Sequence, residues 1–268
     1  MHSKKMVRLF SLAFPLLISA MVNSHAATPA PVPCSGCYQF PLQTKWNYVL
    51  SETPDLSIKA NVYDIDMFDN TAATVASIHG MGSKAICYID AGTWENWRSD
   101  ANKFPASIQG KNNGWPGEKW LDIRQTAILG PIMQARLSTC KSKGFDAVEF
   151  DNVDGYSNST GFPLTATDQI NYNAYIANLA HAQGLAVGLK NDIDQVKSLV
   201  NYFDFAINEQ CFQYNECSSL TTFITAKKAV FNVEYELATS KFCTKANSMN
   251  FNSIKKSLDL DNPVTFCR

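Results

Sequence analysis

The chain has little histidine. Of its four, His2 and His25 fall in the first 26 residues, and His79 and His181 sit in helix-like patterns away from any strand end. That leaves poor material for a zinc centre or a histidine-based triad. No GxGxxG follows the first apolar run, which weakens a dinucleotide-binding reading. No EF-hand spacing is present. After Val22 no apolar stretch approaches a membrane-spanning length, and there is neither an internal repeat nor a long low-complexity linker.

The amino end carries a different signal. Lys4, Lys5 and Arg8 precede an apolar run from Leu9 to Val22, and Ser24-His25-Ala26 fits a small-x-small cleavage pattern. The run is short for an anchor and Pro15 interrupts it, so residues 1–26 read as a secretory signal peptide. Removing it takes three of the 23 basic residues and none of the 24 acidic ones, leaving a formal charge of −4. This disfavours nucleic acid and anionic membrane as partners and suits a neutral or cationic substrate. The expectation is a secreted protein, extracellular or periplasmic, monomeric, and free of the membrane once the leader is gone.

Eight cysteines, an even count behind a leader, predict disulfides. Cys34-Ser-Gly-Cys37 is a CxxC without a second CxxC or a spaced histidine pair, so a structural bridge is expected. Cys211 and Cys217 flank FQYNE and can close a small loop. Residues 27–36 read as a short linker and 37–268 as one domain.

Short β-rich runs recur at Trp46–Leu50, Ala60–Ile65, Lys84–Ile89, Phe145–Phe150, Leu185–Leu189, Phe203–Ile207 and Ala229–Val233, with an eighth near Asn250–Ile254. Helical patterns lie between them at Thr71–His79, Thr126–Ser142, Asp168–Gln183, Asp192–Asn201, Ser218–Lys227 and Leu237–Ser248. Such alternation predicts a parallel sheet, and so many units in one domain predict a (β/α)8 TIM barrel, stabilised here by disulfides.

Carboxylates gather at the carboxyl ends of these strands, where a barrel places its active site. Asp64 and Asp66 end the second run, Asp90 the third, Asp151 and Asp154 the fourth, Glu209 the sixth, and Glu234 and Glu236 the seventh. Lys190, Asn191 and Asp192 end the fifth. Paired carboxyl groups serve glycoside hydrolysis, one protonating the leaving oxygen and the other acting as nucleophile or activating water. Trp94, Trp97, Trp115, Trp120, Tyr88 and Tyr156 lie near enough in sequence to pack on sugar rings. Asp64 and Asp66 read either as turn residues or as substrate contacts, and of Trp94 and Trp97 one is expected in the core. Asp146 reads as structural, and Glu149 as pointing toward the helix layer.

The segments WNYVLS, ICYIDAGTWENWRSD, GWPGEKWLDIR, GFDAVEFDNVDGYSNSTGF, GLKND and FAINEQC, in that order, resemble glycoside hydrolase family 114, the secreted endo-α-1,4-polygalactosaminidase-like proteins. The likeness runs from about Cys37 to Cys267. It implies a (β/α)8 barrel that cuts galactosamine-containing polysaccharide internally with neither metal nor organic cofactor. Carried over, Asp151 of the EFDN segment and Glu209 of the NEQC segment look like the catalytic pair, with Asp151 as nucleophile and Glu209 as general acid/base, or the reverse. Asp90, Asn152, Asp154, Lys190 and Glu234 would line the donor-sugar pocket, with Asp64 and Trp94 as further contacts. A non-catalytic carbohydrate-binding barrel is the second reading, and a metal-assisted hydrolase of another bond the third.

Overall fold

The computed structural model describes residues 28–268, so the leader lies outside the described residues. Eight parallel strands follow one another around a curled sheet in chain order: β1 (Trp46–Val49), β2 (Val62–Asp66), β3 (Lys84–Asp90), β7 (Ala147–Asp151), β8 (Ala186–Lys190), β9 (Phe205–Glu209), β10 (Val230–Glu234) and β11 (Asn252–Lys255). Three more, β4 (Thr93–Glu95), β5 (Gln109–Asn112) and β6 (Glu118–Leu121), form a small antiparallel sheet in the connection after β3. A last pair of residues, β12 (Thr265–Phe266), runs antiparallel to β11. This is the expected (β/α)8 architecture.

Every barrel strand except β1 reaches at least one residue further toward its carboxyl end than the apolar run predicts. The added residues are polar: Asp66, Asp90, Asp151, Lys190, Glu209, Glu234 and Lys255. A polar group at the rim ends a hydrophobic pattern without ending the ladder. The early residues of several runs, such as Phe145, Leu185 and Phe203, are instead buried just before their strands begin.

Alternation splits the sheet into two faces. Trp46, Tyr48, Val62, Ile86, Tyr88, Phe205, Ile207, Phe231 and Val233 fill the barrel. Val49, Ile65, Cys87, Val148, Phe150, Val187 and Leu189 pack outward against the helices. Phe40, from the segment after the Cys34–Cys37 bridge, packs at the base against Phe205 and Phe231 with ring centroids 4.9 and 5.5 Å away.

The helical layer is uneven. α1 (Ala72–Gly80), α2 (Thr126–Lys143), α3 (Ala166–Ala182) and α7 (Thr239–Ser248) are regular, whereas α4 (Val196–Leu199), α5 (Cys211–Tyr214) and α6 (Thr221–Thr225) are about one turn each. The expected helices at 192–201 and 218–227 therefore shrink. α3 begins two residues earlier than expected because Thr165 is its N-cap, and Asp168 completes a capping box from the third position. His79 bonds Asp146 at 2.8 Å and His181 bonds Asp204 at 2.9 Å, tying α1 and α3 to strand beginnings, so both histidines and Asp146 serve packing. Residues 28–33, part of the expected linker 27–36, lie against α3 through Val32 and Ala30, and Pro29 accepts from the Tyr202 hydroxyl just beyond α4.

Among the described residues β1 and β11 share no ladder. The barrel closes there through side chains. The Trp46 indole donates to the Asn252 carbonyl at 2.7 Å, the Thr44 amide to Asn252 Oδ1 at 2.8 Å, and Lys256 to Asn47 Oδ1 at 2.9 Å. All eight cysteines are paired, as Cys34–Cys37, Cys87–Cys140, Cys211–Cys217 and Cys243–Cys267. The described residues include no helix long and apolar enough to cross a membrane.

Arg136 on α2 is the main tie between the helical layer and the rim. It is buried, donates to the Asp90 carbonyl at 2.7 Å and grips Asp100 with two bonds of 2.9 Å, between the rings of Phe68 and Phe104. Removing one partner of such a pair strands the other. Arg136→Ala should lower unfolding stability by roughly 3–5 kcal/mol in urea titration; a loss under about 1 kcal/mol would show the tie to be dispensable.

Candidate active site

β7, β8 and β9 lie side by side and end in Asp151, Lys190 and Glu209. The curl of the sheet points all three inward. The Lys190 ammonium stands 2.9 Å from Asp151 Oδ1, 3.3 Å from Glu209 Oε2 and 3.2 Å from Glu149 Oε1. Its side chain is 2 % exposed, while those of Asp151 and Glu209 are 19 % and 27 % exposed. One buried cation thus holds two carboxylates that both face the open barrel mouth.

Each carboxylate has its own further donors. Asp151 accepts from the Tyr88 hydroxyl at 2.8 Å and from the Asn152 amide at 2.8 Å. Burial opposes its ionisation, but the charge and hydrogen bond of Lys190, with Tyr88 and the amide, outweigh this and hold the carboxyl below its usual range. Glu209 accepts from Asn191 Nδ2 at 3.2 Å and from the Tyr235 hydroxyl. Burial would discharge Lys190, yet the carboxylates of Asp151, Glu209 and Glu149 raise it well above its ordinary value.

A layer of polar groups lies beneath. Glu149 does not point to the helices as expected. It sits two residues before Asp151 on the same strand, so it shares the barrel-facing side. It accepts from Tyr48 at 2.8 Å and is fully buried. Below it, burial and then the charge of Glu149 raise the Asp64 carboxyl well above its usual range, and both Asp64 oxygens and Glu149 Oε2 are buried without a hydrogen-bond partner.

Over this floor opens a cavity of about 890 Å³. Tyr48, Tyr88, Asp151, Asn152, Asp154, Lys190 and Glu209 line it, with Trp97, Trp115 and Trp120 from the β4–β6 insertion and residues 258–261 opposite. Burial and then the charge of Asp151 bring the Asp154 carboxyl up to about 6.

Four expected contact residues do not reach this cavity. Asp64 is buried under Glu149. Asp90 turns into the rim, accepting from the Gly92 and Thr93 amides and from Asn152 Nδ2 at 2.7 Å, so it places Asn152. Trp94 packs against the core and donates its indole N–H to the Ala101 carbonyl, which makes it the core member of the Trp94/Trp97 pair. Glu234 lies on the outward face and accepts from the Phe212 amide at 2.9 Å; alternation brings its neighbour Tyr235 to the site instead. Tyr48 and Tyr235 are the donors that hydrophobic pattern reading passes over, because tyrosine counts there as apolar; Tyr88, expected as a sugar platform, instead donates to Asp151. Counting parity back from Asp151 would have found Glu149, and counting it forward from Phe231 and Val233 would have found Tyr235.

Asp90, Glu95 and Glu118 bring ligand-type oxygens within 4.8 Å of one another at one side of the cavity. Most of these oxygens already accept from protein donors: Asp90 from Thr93 and Asn152, Glu95 Oε1 from Arg98, and Glu118 from Asn113 and Thr93. Glu95 Oε2 is buried without a hydrogen-bond partner.

No curated protein matches the chain in sequence. Among solved structures, that of Aspergillus fumigatus Ega3 in complex with galactosamine is 38 % identical, covers 89 % of this chain and all of its own, and superposes with a TM-score of 0.84. The glycoside hydrolase domain of PelA from Pseudomonas aeruginosa shares the fold at 12 % identity, covering 82 % of this chain and 97 % of its own, with a TM-score of 0.66. The model of glycoside-hydrolase family GH114 matches residues 26–268. A barrel whose mouth holds two carboxylates on one lysine, matched over nearly its whole length by that family, is a glycoside hydrolase: the chain belongs to family GH114.

Proposed function

We propose that the protein is an exported endo-hydrolase of α-1,4-linked galactosamine polymers, acting as a monomer, with Asp151 as nucleophile and Glu209 as general acid/base. The observation that carries this is the pair of half-open carboxylates fixed by one buried lysine at the base of a wide cleft. The galactosamine bound by Ega3 supports the sugar class. The leader-like amino end and four disulfides support export.

The environments divide the roles. Asp151 is held ionised by Lys190 and Tyr88, as a nucleophile must be. Glu209 is the more open of the two and reaches the solvent side of the site. In the first step Asp151 attacks the anomeric carbon while Glu209 gives a proton to the departing glycosidic oxygen. In the second, Glu209 takes a proton from water, whose oxygen displaces Asp151 from the sugar and restores both groups. The nearest oxygens of both residues touch one nitrogen and so lie no more than about 6 Å apart, which is in keeping with a retaining double displacement. Asn152, Asp154 and Lys190 are the proposed donor-sugar contacts, with Asp64, Asp90 and Glu234 supporting from behind. A protein that only bound sugar would have no need of two carboxylates held on one cation.

Asp151→Asn and Glu209→Gln should each lower cleavage of α-1,4-galactosamine oligomers on the order of a thousandfold, with unchanged far-UV circular dichroism. Wild-type rates in both would end the assignment. Tyr88→Phe removes one donor to Asp151 and so raises the pKa of that carboxyl. Activity present above this pKa is lost as pH falls through it, so the acid limb of kcat/KM should move up by about one pH unit; an unmoved limb would count against Asp151 as nucleophile. Proton NMR of the first product formed should show the α-anomer, whereas the β-anomer would mean inversion.

A further inference from the structure

Beside the main cavity lies a second, of about 320 Å³, and the two share Asp154, Asn191 and Glu209. Asp151 lines only the first. Glu209 therefore stands on the wall between them. In a double-displacement reaction the nucleophile lies under the sugar that is attacked, and the acid reaches the oxygen leading to the next sugar. Groups beyond the acid, on the side away from the nucleophile, face the leaving part of the chain.

We infer that the second cavity is the leaving-group subsite, with Tyr214 as its aromatic platform, and that the polymer lies with its non-reducing end toward Trp97 and Trp115. This rests on the assignment of Asp151 and Glu209 made above. Tyr214 is 61 % exposed, an unusual state for a large ring. Its loop is not free, however. The Cys211–Cys217 bridge closes it, the Tyr214 amide donates to the Gln210 carbonyl at 3.0 Å, and the Glu216 amide to the Cys211 carbonyl at 2.9 Å. Glu234 holds the Phe212 amide from below, and the Phe212 ring stacks on Phe242 at 5.8 Å. An exposed ring on a loop fastened at this many points is pre-organised for contact. Asp194 and Glu216 also line the cavity, which suits a sugar carrying an ammonium group. On this reading the disulfide behind Glu209 sets both the catalytic strand end and the platform that grips what the acid releases.

The test uses an α-1,4-galactosamine octamer tagged at its reducing end, with wild type, Tyr214→Ala, Tyr214→Phe and Trp115→Ala. Tyr214→Ala should lower kcat/KM about tenfold, the scale of one lost aromatic contact. It should also shift the tagged fragments toward the single-residue product, since longer tagged fragments arise from chains held across the second cavity. Tyr214→Phe should keep the wild-type pattern, and Trp115→Ala should move the cut the other way, toward longer tagged fragments. If wild type cuts the octamer and Tyr214→Ala matches it in rate and pattern, or shifts the cut toward longer tagged fragments, the subsite and the polarity are wrong. If wild type does not cut it, the glycosidase reading itself has failed and the subsite falls with it.

Discussion

The Lys190 ammonium is the interaction on which the site depends. A lysine buried without partners would give up its proton, and a carboxylate such as Asp151 buried without a cation would take one up. Each condition removes the other's cost. Lys190 stays protonated because Asp151, Glu209 and Glu149 surround it, and Asp151 stays ionised because Lys190 is there. The arrangement also reaches into the fold. Gly188, two residues before Lys190 on the same face, has no side chain because a Cβ there would stand 2.3 Å from the Phe205 ring. That aromatic packing fills the barrel below the charged layer.

The rim shows how a regular ladder is turned into a site. Asp151, Lys190 and Glu209 are each followed by a residue other than glycine with positive φ: Asn152 at 58°, Asn191 at 48° and Gln210 at 61°. Asparagine tolerates this conformation better than most residues, and strain of this kind gathers where function needs a particular geometry. The turn after each strand sends the chain away at once, so the final side chain stays in the mouth. It also frees the next residue for use: Asn191 bonds Glu209, and Asn152 bonds Asp90. Gly92 completes the fit, since a Cβ there would lie 1.6 Å from the Asn152 carbonyl oxygen.

Much of this was legible in the sequence, because a barrel strand is a short apolar run and its functional end is where that run stops. All eight parallel strands and the two rim carboxylates could be read that way. What could not be read has physical causes. Glu149 and Glu234 both break apolar runs, yet one faces the barrel and the other the helices, and only parity within the strand distinguishes them. Tyr48, Tyr88 and Tyr235 look like core residues, and they are buried, but their hydroxyl groups serve the carboxylates. The Asp90–Asn152 bond joins residues 62 positions apart and has no local signature.

The side-chain seam between β1 and β11 has a consequence for how the chain reaches its final form. Strands laid down in chain order can pair as they appear, each on the one before. The first strand is different: the Trp46 indole waits for a carbonyl 206 residues later, and Asn47 for a lysine 209 residues later. Those contacts carry the largest loop-closure entropy in the barrel. A nascent chain can thus hold most of its sheet as an open, curling ribbon while the cylinder stays incomplete. The final residues, which bring Asn252, Lys256 and the Cys243–Cys267 bridge, act as the latch, and chains shortened from that end would be arrested as half-wound intermediates.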